Sequence, residues 1–276
     1  MTASSVALGP LDTDTGVRLR GVEKVFRSRR STVQALSSVD LEIRSGEFVT
    51  LFGPSGCGKS TVLRIIAGLE RETSGEVSVF GTSPAEASKR KNIAWIPQSS
   101  ALLPWLSVKA NASLSNVVNR RPDRNGTTSR TPLDPVQLLG EVGLSDFLGA
   151  KPNQLSGGMR QRASIARGFV QGAELMLMDE PFSALDELTK DALQLRLLEV
   201  WSQHRKTIVF VTHSVNEAVL LSDRIVVMTP RPGRIQGVVD ITLPRENRPE
   251  LAGTPEFTAL VDEVKQVLRT GWEGER

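Results

Sequence analysis

Several residue types that often reveal the class of a protein are scarce in this sequence. It contains one cysteine, no tyrosine and two histidines among 276 residues. A single cysteine excludes an internal disulfide framework and suits a reducing compartment. We therefore expect a chain that works in the cytosol, unless a partner holds it at a membrane.

Long apolar runs are missing as well. A membrane helix needs about 18 or more consecutive apolar residues, whereas the longest runs here, such as Ile208–Val211 and Leu175–Met178, have the length of buried strands. Residues 1–16 are polar and slightly acidic, and they lack the basic start and apolar segment of a secretion signal. We expect these residues to be a flexible N-terminal tail, and we expect no membrane span.

Neither sign of charge dominates. Lysine plus arginine number 34 against 31 for aspartate plus glutamate, which gives a formal net charge of +3. That surplus does not call for a nucleic-acid partner, although a weak attraction to an anionic membrane face is compatible with it. The hydrophobic fraction of 39% and the charged fraction of 24% are those of an ordinary globular protein.

The order of strand and helix patterns predicts the fold class. Strand-like segments with short turns come first, and their mixed alternation suggests a partly antiparallel sheet. From Gly53 onward strands alternate with helices, which implies right-handed crossovers and a parallel sheet. Prolines punctuate short helical pieces between Ser99 and Gln154. We predict an α/β fold with a parallel sheet, an N-terminal antiparallel β subdomain and an inserted helical subdomain at about residues 99–158.

The end of the chain has a helical pattern of its own. Five apolar residues share one helical face, namely Phe257, Leu260, Val261, Val264 and Leu268. The predicted organisation is therefore a tail at residues 1–16, a main domain at 17–245 and a C-terminal helical extension at 246–276 that packs back on the body. Such an extension is too short for a C-terminal regulatory β-domain, and we expect none.

One segment matches the phosphate-loop pattern of two glycines that bracket four residues and are followed by Lys and Ser. It reads Gly53-Pro54-Ser55-Gly56-Cys57-Gly58-Lys59-Ser60, with Thr61 next. Glycines let backbone N–H groups surround phosphates, and the helix that follows directs its positive end at the same anion. In this chemistry Lys59 bridges the β- and γ-phosphates and the Ser60 hydroxyl binds Mg²⁺. The plainer alternative is a glycine-rich turn, but the preceding apolar strand and the following amphipathic helix favour a phosphate-loop NTPase core that binds ATP and Mg²⁺.

Two further predicted strands end in residues suited to the same chemistry. The run Leu175–Met178 is followed by Asp179 and Glu180. Because ligands gather at the carboxyl ends of parallel strands, Asp179 is placed to hold Mg²⁺ and Glu180 to orient or deprotonate a water molecule. His213 ends the next apolar strand, where it could hydrogen-bond a γ-phosphate. The alternatives are two acids in an exposed loop and a surface histidine.

The segment that identifies a family reads Gln154-Leu155-Ser156-Gly157-Gly158-Met159-Arg160-Gln161-Arg162. Ser156, Gly157 and Gly158 open a predicted helix, so their free N–H groups form a second anion site. The segment closely resembles the signature of ABC-type ATPases, which other phosphate-loop enzymes lack. In that family, the signature of one subunit closes on the γ-phosphate held by the other subunit. The resemblance covers about residues 17 to 244 and implies a head-to-tail homodimer with two ATPs at its interface.

Three other positions take a role from the resemblance. Phe26 stands where an aromatic residue, commonly tyrosine, stacks on adenine. Gln98 is similar to the glutamine that contacts Mg²⁺ and the hydrolytic water. The segment Ser183-Ala184-Leu185-Asp186 resembles the loop that crosses the dimer interface, and Asp186 would link the two active sites.

Two segments favour an importer. Residues Ala101–Val108 and Pro230–Ile235 are similar to segments of the nitrate/sulfonate/taurine uptake group. The alternatives are core packing for the leucines of the first segment and a solvated basic turn for Arg231 and Arg234. Non-transport ABC ATPases of repair or translation typically carry a coiled-coil insert or tandem ATPase units, and exporter subunits are usually fused to their membrane domain. Both classes stay open as alternatives.

An importer subunit of this kind implies definite partners. The resemblance implies a second copy of the chain, two transmembrane permease subunits and, indirectly, a solute-binding protein. It places the chain at the cytoplasmic face of the cell membrane, bound peripherally. The solute would be small, and related ATPases that serve pyrimidine vitamin precursors look alike.

Cys57 carries a separate hypothesis. It lies near Lys59 and a predicted helix N-terminus, both of which could lower the pKa of its thiol. Alkylation of Cys57 would then inactivate the enzyme, and ATP would protect it. The alternative is a small residue that fills space in the loop.

Overall fold

The computed structural model describes residues 15–28, 31–230, 232–245 and 247–273. Most of the predicted tail and Arg231 of the predicted basic turn lie outside these ranges. Within the described part of the chain, no helix combines the length and the apolar character needed to cross a membrane.

A small antiparallel sheet forms from the early strands. It consists of β1 (Thr15–Arg27), β2 (Thr32–Arg44) and β4 (Ser74–Val79), in the order β2-β1-β4. Strand β1 already begins at Thr15, two residues inside the predicted tail of residues 1–16. The reason is that Thr15 pairs with Arg44 and its hydroxyl donates to Glu42 over 2.7 Å. The sheet confirms the predicted antiparallel subdomain.

A six-stranded sheet forms the centre of the molecule. Its strands are β5 (Ile93–Ile96), β6 (Leu175–Asp179), β7 (Thr207–Thr212), β3 (Phe48–Phe52), β8 (Arg224–Thr229) and β9 (Arg234–Asp240), in that spatial order. The first five are parallel, and β9 runs antiparallel to β8. Every residue of β3 and β7 is buried, as expected for strands covered on both faces. The predicted parallel core is confirmed.

Ten α-helices accompany the sheets in the described residues. They are α1 (Lys59–Ile66), α2 (Pro84–Lys89), α3 (Val108–Ala112), α4 (Leu114–Val118), α5 (Arg120–Arg124), α6 (Pro135–Glu141), α7 (Gly157–Val170), α8 (Glu187–His204), α9 (Val215–Leu221) and α10 (Pro255–Glu273). Side-chain oxygens of Ser156, Asp186 and Ser214 cap α7, α8 and α9 by accepting from backbone N–H groups of the first turn. These caps fix where three helices begin.

The short helices α3 to α6 lie within the predicted insert, and α3, α4 and α6 pack on α7. Val108, Leu138, Leu139 and Phe169 belong to one buried cluster with residues of the central sheet. The exact limits of the insert as a separate subdomain, at residues 99–158, stay a prediction.

Helix α10 closes the far side of the large sheet. Phe257, Val261 and Val264 are buried together with Val219 of α9 and Val227 of β8. The predicted apolar face of the C-terminal extension therefore packs on the body.

Candidate active site

The phosphate-loop segment joins β3 to α1 at the carboxyl edge of the large sheet. Gly58 has a φ of 94°, and a Cβ atom there would lie 2.5 Å from Cδ2 of Leu36. At Gly53 a Cβ atom would lie 2.5 Å from the carbonyl oxygen of Met228. Both positions require glycine because neighbouring strands approach the loop closely. The loop is thus wedged between two sheets.

Lys59 is the first residue of α1, and its ammonium group closes the loop on itself. Nζ donates to the carbonyl oxygens of Gly53, at 2.7 Å, and Pro54, at 2.9 Å. The residue is only 4% exposed. The positive charge is therefore held at the N-terminal end of α1, beside the free N–H groups of its first turn, which makes this end of the helix suited to a phosphate group.

A cavity of about 550 Å³ opens over this loop. Its lining residues come from β2, the loop, α1 and the end of β6, namely Val33, Gln34, Ala35, Ser55, Gly56, Gly58, Lys59, Ser60, Thr61 and Glu180. Phe26 pairs with Val33 across β1 and β2, is 40% exposed, and has Lys24 Nζ 4.8 Å from its ring centre. The sequence did not reveal the three β2 residues as cavity walls, because only strand pairing brings them beside the loop.

The lowered pKa predicted for the Cys57 thiol is wrong. Its side chain is fully buried in the core cluster that also contains Leu36 and Val62. Burial raises the pKa of the Cys57 thiol, and the charge of Lys59 opposes this shift without cancelling it. Proximity to a cation predicted the wrong direction because the thiol points into the core.

We expect the thiol of Cys57 to react with Ellman's reagent at least about 100-fold more slowly in the folded chain than in urea, because reaction must await local opening. As the chain has one cysteine, the absorbance change reports this site alone. Rapid stoichiometric labelling of the folded chain would restore the reactive-thiol hypothesis.

Asp179 and Ser60 meet at the mouth of the loop. The Ser60 hydroxyl donates to Asp179 Oδ1 over 2.8 Å. Burial raises the pKa of the Asp179 carboxyl, the Ser60 hydrogen bond opposes this shift, and the charge of Glu180 adds to it. Mg²⁺ prefers one or two protein oxygens together with phosphate oxygens and water. The Ser60 hydroxyl and the Asp179 carboxylate fit Mg²⁺ that is bound together with a phosphate. Among the described residues, no group of three or more His, Cys, Asp or Glu side chains is placed to hold a metal.

Glu180 and His213 face each other across β6 and β7. His213 Nδ1 lies 3.3 Å from Glu180 Oε2, and the imidazole is 58% exposed. Glu180 has a φ of 45°, an uncommon conformation that carries strain for a residue with a side chain. Its N–H donates to the Val211 carbonyl at 3.0 Å, which compensates by anchoring the bend. The pair is thus held at the edge of the cavity.

Gln98 reaches the same group of residues indirectly. Its Nε2 donates to Ser183 Oγ at 3.1 Å, and Ser183 Oγ donates to the Glu180 carbonyl at 3.0 Å. The order β5-β6-β7-β3 explains this grouping, since it places Gln98, the acidic pair, His213 and the phosphate loop in a row. The sequence singled out Ser183 only as part of the interface loop, not as the link between Gln98 and Glu180.

The signature segment forms a second helix N-terminus away from this cavity. Ser156 caps α7 by accepting from the Met159 N–H at 3.2 Å. A Cβ atom on Gly158 would lie 2.3 Å from Cγ2 of Thr189, so α8 packs directly on this glycine. None of Ser156, Gly157 and Gly158 is among the described residues that line the cavity over the phosphate loop. One chain therefore presents two separate helix N-termini, at α1 and at α7, whose first-turn N–H groups suit an anion.

Asp186 begins the helix that packs on the signature. Its carboxylate accepts from the Thr189 N–H at 3.0 Å. Hydrogen bonding with the side chain of Thr189, and then with its N–H, lowers the pKa of the fully exposed Asp186 carboxyl. Leu188, two residues later, is 84% exposed. An ionised cap and an unburied leucine therefore lie side by side on the surface.

Comparison with known proteins agrees with this geometry. A family model described as ABC transporter matches residues 36–183. An uncharacterized ABC transporter ATP-binding protein of Methanocaldococcus jannaschii is 42% identical over 253 residues, which cover 92% of this chain and 91% of that protein. The aliphatic sulfonates import ATP-binding protein SsuB of Bacillus cereus is 39% identical over 255 residues, covering 92% of this chain and 96% of the relative.

A solved structure is similar over most of the fold. It is a dimeric ATP-binding cassette in a post-hydrolysis state, bound to ADP and Pi. The TM-score is 0.69 and the sequence identity 32%, and the match covers 82% of this chain and 99% of that one.

Proposed function

This chain belongs to the ABC transporter family and is an ATPase, and on that premise we propose that two copies work as the energy-coupling dimer of a solute importer. The observation that carries the proposal is that only one of the two helix N-termini suited to an anion, that of α1, lies at the phosphate-loop cavity. A head-to-tail dimer would bring Ser156, Gly157 and Gly158 of one copy to the cavity of the other. The solved relative of similar fold is itself dimeric.

Within each site the residues of this chain have distinct tasks. Phe26 and Val33 provide an apolar platform for the adenine, and the N–H groups of the loop hold the phosphates. Lys59 exchanges its bonds to the Gly53 and Pro54 carbonyls for phosphate oxygens. Mg²⁺ held by Ser60 and Asp179, with Gln98 close by, would neutralise charge on the phosphate oxygens.

Hydrolysis then depends on the pair at the ends of β6 and β7. Glu180 accepts a proton from the attacking water or orients it, with its carboxylate aimed by the strained backbone. His213 would contact the γ-phosphate, and its Nδ1 lies 3.3 Å from Glu180 Oε2. Asp186 of the partner copy would approach from across the interface, since it is fully exposed at the start of α8.

A second cavity supports coupling to a permease. It measures about 510 Å³, and its lining residues are Arg64, Trp95, Pro97, Gln98, Ser99, Asp179, Ser183 and Ala184. Because Gln98 and Asp179 belong to this wall, a permease segment seated here would sense the state of the nucleotide site. We propose that a short cytoplasmic helix of each permease subunit docks beside Gln98 and the Leu103–Val108 segment, which holds the chain peripherally at the cytoplasmic face of the membrane.

Trp105 provides a test of this docking surface. Its side chain is 67% exposed in the segment that follows Gln98. We expect Trp105→Ala to reduce solute uptake about tenfold or more with little loss of basal ATPase activity, because an exposed aromatic residue at an interface carries much of the binding energy. Uptake into vesicles and phosphate release are measured in parallel. Leu69→Ala, at a site that is 64% exposed after α1, is the matched control; an equal loss of both activities in Trp105→Ala would contradict the docking role.

The relatives and the importer-like segments support a proposal on the class of solute. The resemblance to sulfonate importers favours a small anion of the nitrate, sulfonate or taurine type. Solute selection would reside in the permease and a solute-binding protein.

The experiment that tests the function is reconstitution. The chain is co-expressed with the permease encoded in neighbouring reading frames, and ATPase activity is measured with and without solute-loaded binding protein. Stimulation by one sulfonate and its vesicular uptake would support the proposal. An active ATPase that binds no permease would favour a non-transport role.

A further inference from the structure

A largely buried ion pair joins α8 to α9 beside the Thr212–Ser214 segment that contains His213. Glu217 of α9 is 6% exposed, and its Oε1 lies 2.9 Å from Lys190 Nζ of α8. Burial alone would lower the pKa of Lys190, but the hydrogen bond and charge of Glu217 outweigh it, so the pKa lies above its ordinary value. Lys190 therefore stays charged, and Glu217 keeps a cationic partner.

The other oxygen of Glu217 holds the residues that flank His213. Glu217 Oε2 accepts from the Thr212 hydroxyl at 2.5 Å, and Thr212 Oγ1 accepts from the Ser214 N–H at 3.0 Å. Both neighbours of His213 are thus tied to one buried carboxylate. The imidazole itself is 58% exposed, so side-chain packing contributes little to its position. Its orientation toward Glu180 depends on the backbone that these bonds fix.

The anchor of this network is the first turn of α8. Lys190 follows Thr189, whose Cγ2 methyl fills the space left by the missing side chain of Gly158. The Lys190 N–H donates to the Asp186 carbonyl at 2.9 Å. Because this turn packs against α7 through Thr189, the position of the Lys190 side chain is fixed, and Lys190 in turn positions Glu217.

A buried ion pair contributes little net stability, since desolvation offsets the attraction. The ion pair matters instead because it fixes the positions of the residues that contact it. We propose that Lys190 and Glu217 are positioning residues for hydrolysis, which hold the Thr212–Ser214 backbone so that His213 meets both Glu180 and the γ-phosphate. This inference rests on the proposed role of His213 in ATP hydrolysis.

The test compares Lys190→Met, Glu217→Gln and the double variant with Arg196→Met. Arg196 forms an exposed pair with Glu199 on the same helix and is the matched control. We expect each single variant to lower kcat about tenfold or more, with the KM for ATP and the affinity for nucleotide changed less than about twofold. The double variant removes both charges and leaves no unpaired ion in the core, so it keeps the test valid if a single variant misfolds. Its kcat should equal that of the single variants, since residues of one network are not additive.

A spectroscopic readout separates positioning from general destabilisation. The chain has two histidines, so the imidazole resonances of His213 and His204 can be assigned by substitution. We expect the His213 resonance to shift or broaden in Lys190→Met and Glu217→Gln, while the His204 resonance stays unchanged. We expect Lys190→Arg, which keeps the positive charge, to have the kcat of the wild type. A folded double variant with wild-type kcat and an unchanged His213 resonance would overturn the inference. If the wild-type chain neither binds nor hydrolyses ATP, the proposed function itself fails.

Discussion

Glu180→Gln is expected to lower ATP turnover by about 10²- to 10⁴-fold, the range that a lost general base produces. The amide keeps the size of the side chain but cannot accept the proton of the attacking water. The left-handed backbone at this position and the bond from its N–H to Val211 do not depend on the carboxylate. The variant should therefore fold normally and bind MgATP.

The same variant should accumulate as a dimer. With hydrolysis blocked, MgATP would stay between the phosphate loop of one copy and Ser156–Gly158 of the other, and light scattering would report a nucleotide-dependent doubling of mass. Glu199→Gln, at a side chain that is 55% exposed on α8, serves as control and should turn over normally. Loss of nucleotide binding together with turnover in Glu180→Gln would argue for a structural role of this carboxylate.

Asp179→Asn is expected to abolish most Mg²⁺-dependent hydrolysis and yet to stabilise the nucleotide-free protein. Burial raises the folded-state pKa of this carboxyl above its ordinary value. The stabilising contribution of this carboxyl is therefore fully present below its pKa in the unfolded state. It is lost as the pH rises through its pKa in the folded state. Asparagine removes this loss because it does not ionise, and its carbonyl oxygen can still accept from Ser60.

Thermal unfolding tests both parts of this prediction. At pH 7 without nucleotide, the Tm of Asp179→Asn should exceed that of the wild type, and the gap should shrink toward about pH 4, where aspartate protonates. Added Mg²⁺ and ATP should raise the wild-type Tm more than that of the variant. Asp262→Asn, with a side chain 67% exposed, should leave both behaviours unchanged. A lower Tm in Asp179→Asn at pH 7 would contradict this prediction, because it would mean that the carboxylate stabilises the protein without a bound cation.

Two adjacent residues, Asp179 and Glu180, are both proposed to act in hydrolysis and both destabilise the nucleotide-free protein. Asp179 ends β6 and Glu180 follows it. Both residues cost stability in the free protein, Asp179 through its buried carboxylate and Glu180 through its backbone. Bound Mg²⁺ and nucleotide would relieve the first of these costs.

Local patterns in the sequence determined much of this protein. The run of buried strand, glycine-rich turn and helix around Gly53 is encoded within a short stretch, because glycine and strand propensities act locally. The same holds for the helix that opens after Ser156 and for the apolar face of α10. The ends of strands were harder to predict from the sequence, because pairing with a distant strand decides where a strand begins. Thr15 is an example, since it was assigned to the tail but pairs with Arg44.

Only the tertiary structure decided which way side chains face and which distant residues meet. Cys57 lies beside Lys59 in sequence, but its thiol points into the core, so burial and not the neighbouring charge governs its pKa. Strand pairing brings Val33 to the loop, and the packing of α8 on α9 brings Lys190 to Glu217. Such contacts span residues far apart in the chain, and no local period or spacing encodes them. The sequence therefore determined the chemistry of the nucleotide site, whereas the packing of the sheets and helices decided its walls and the support behind His213.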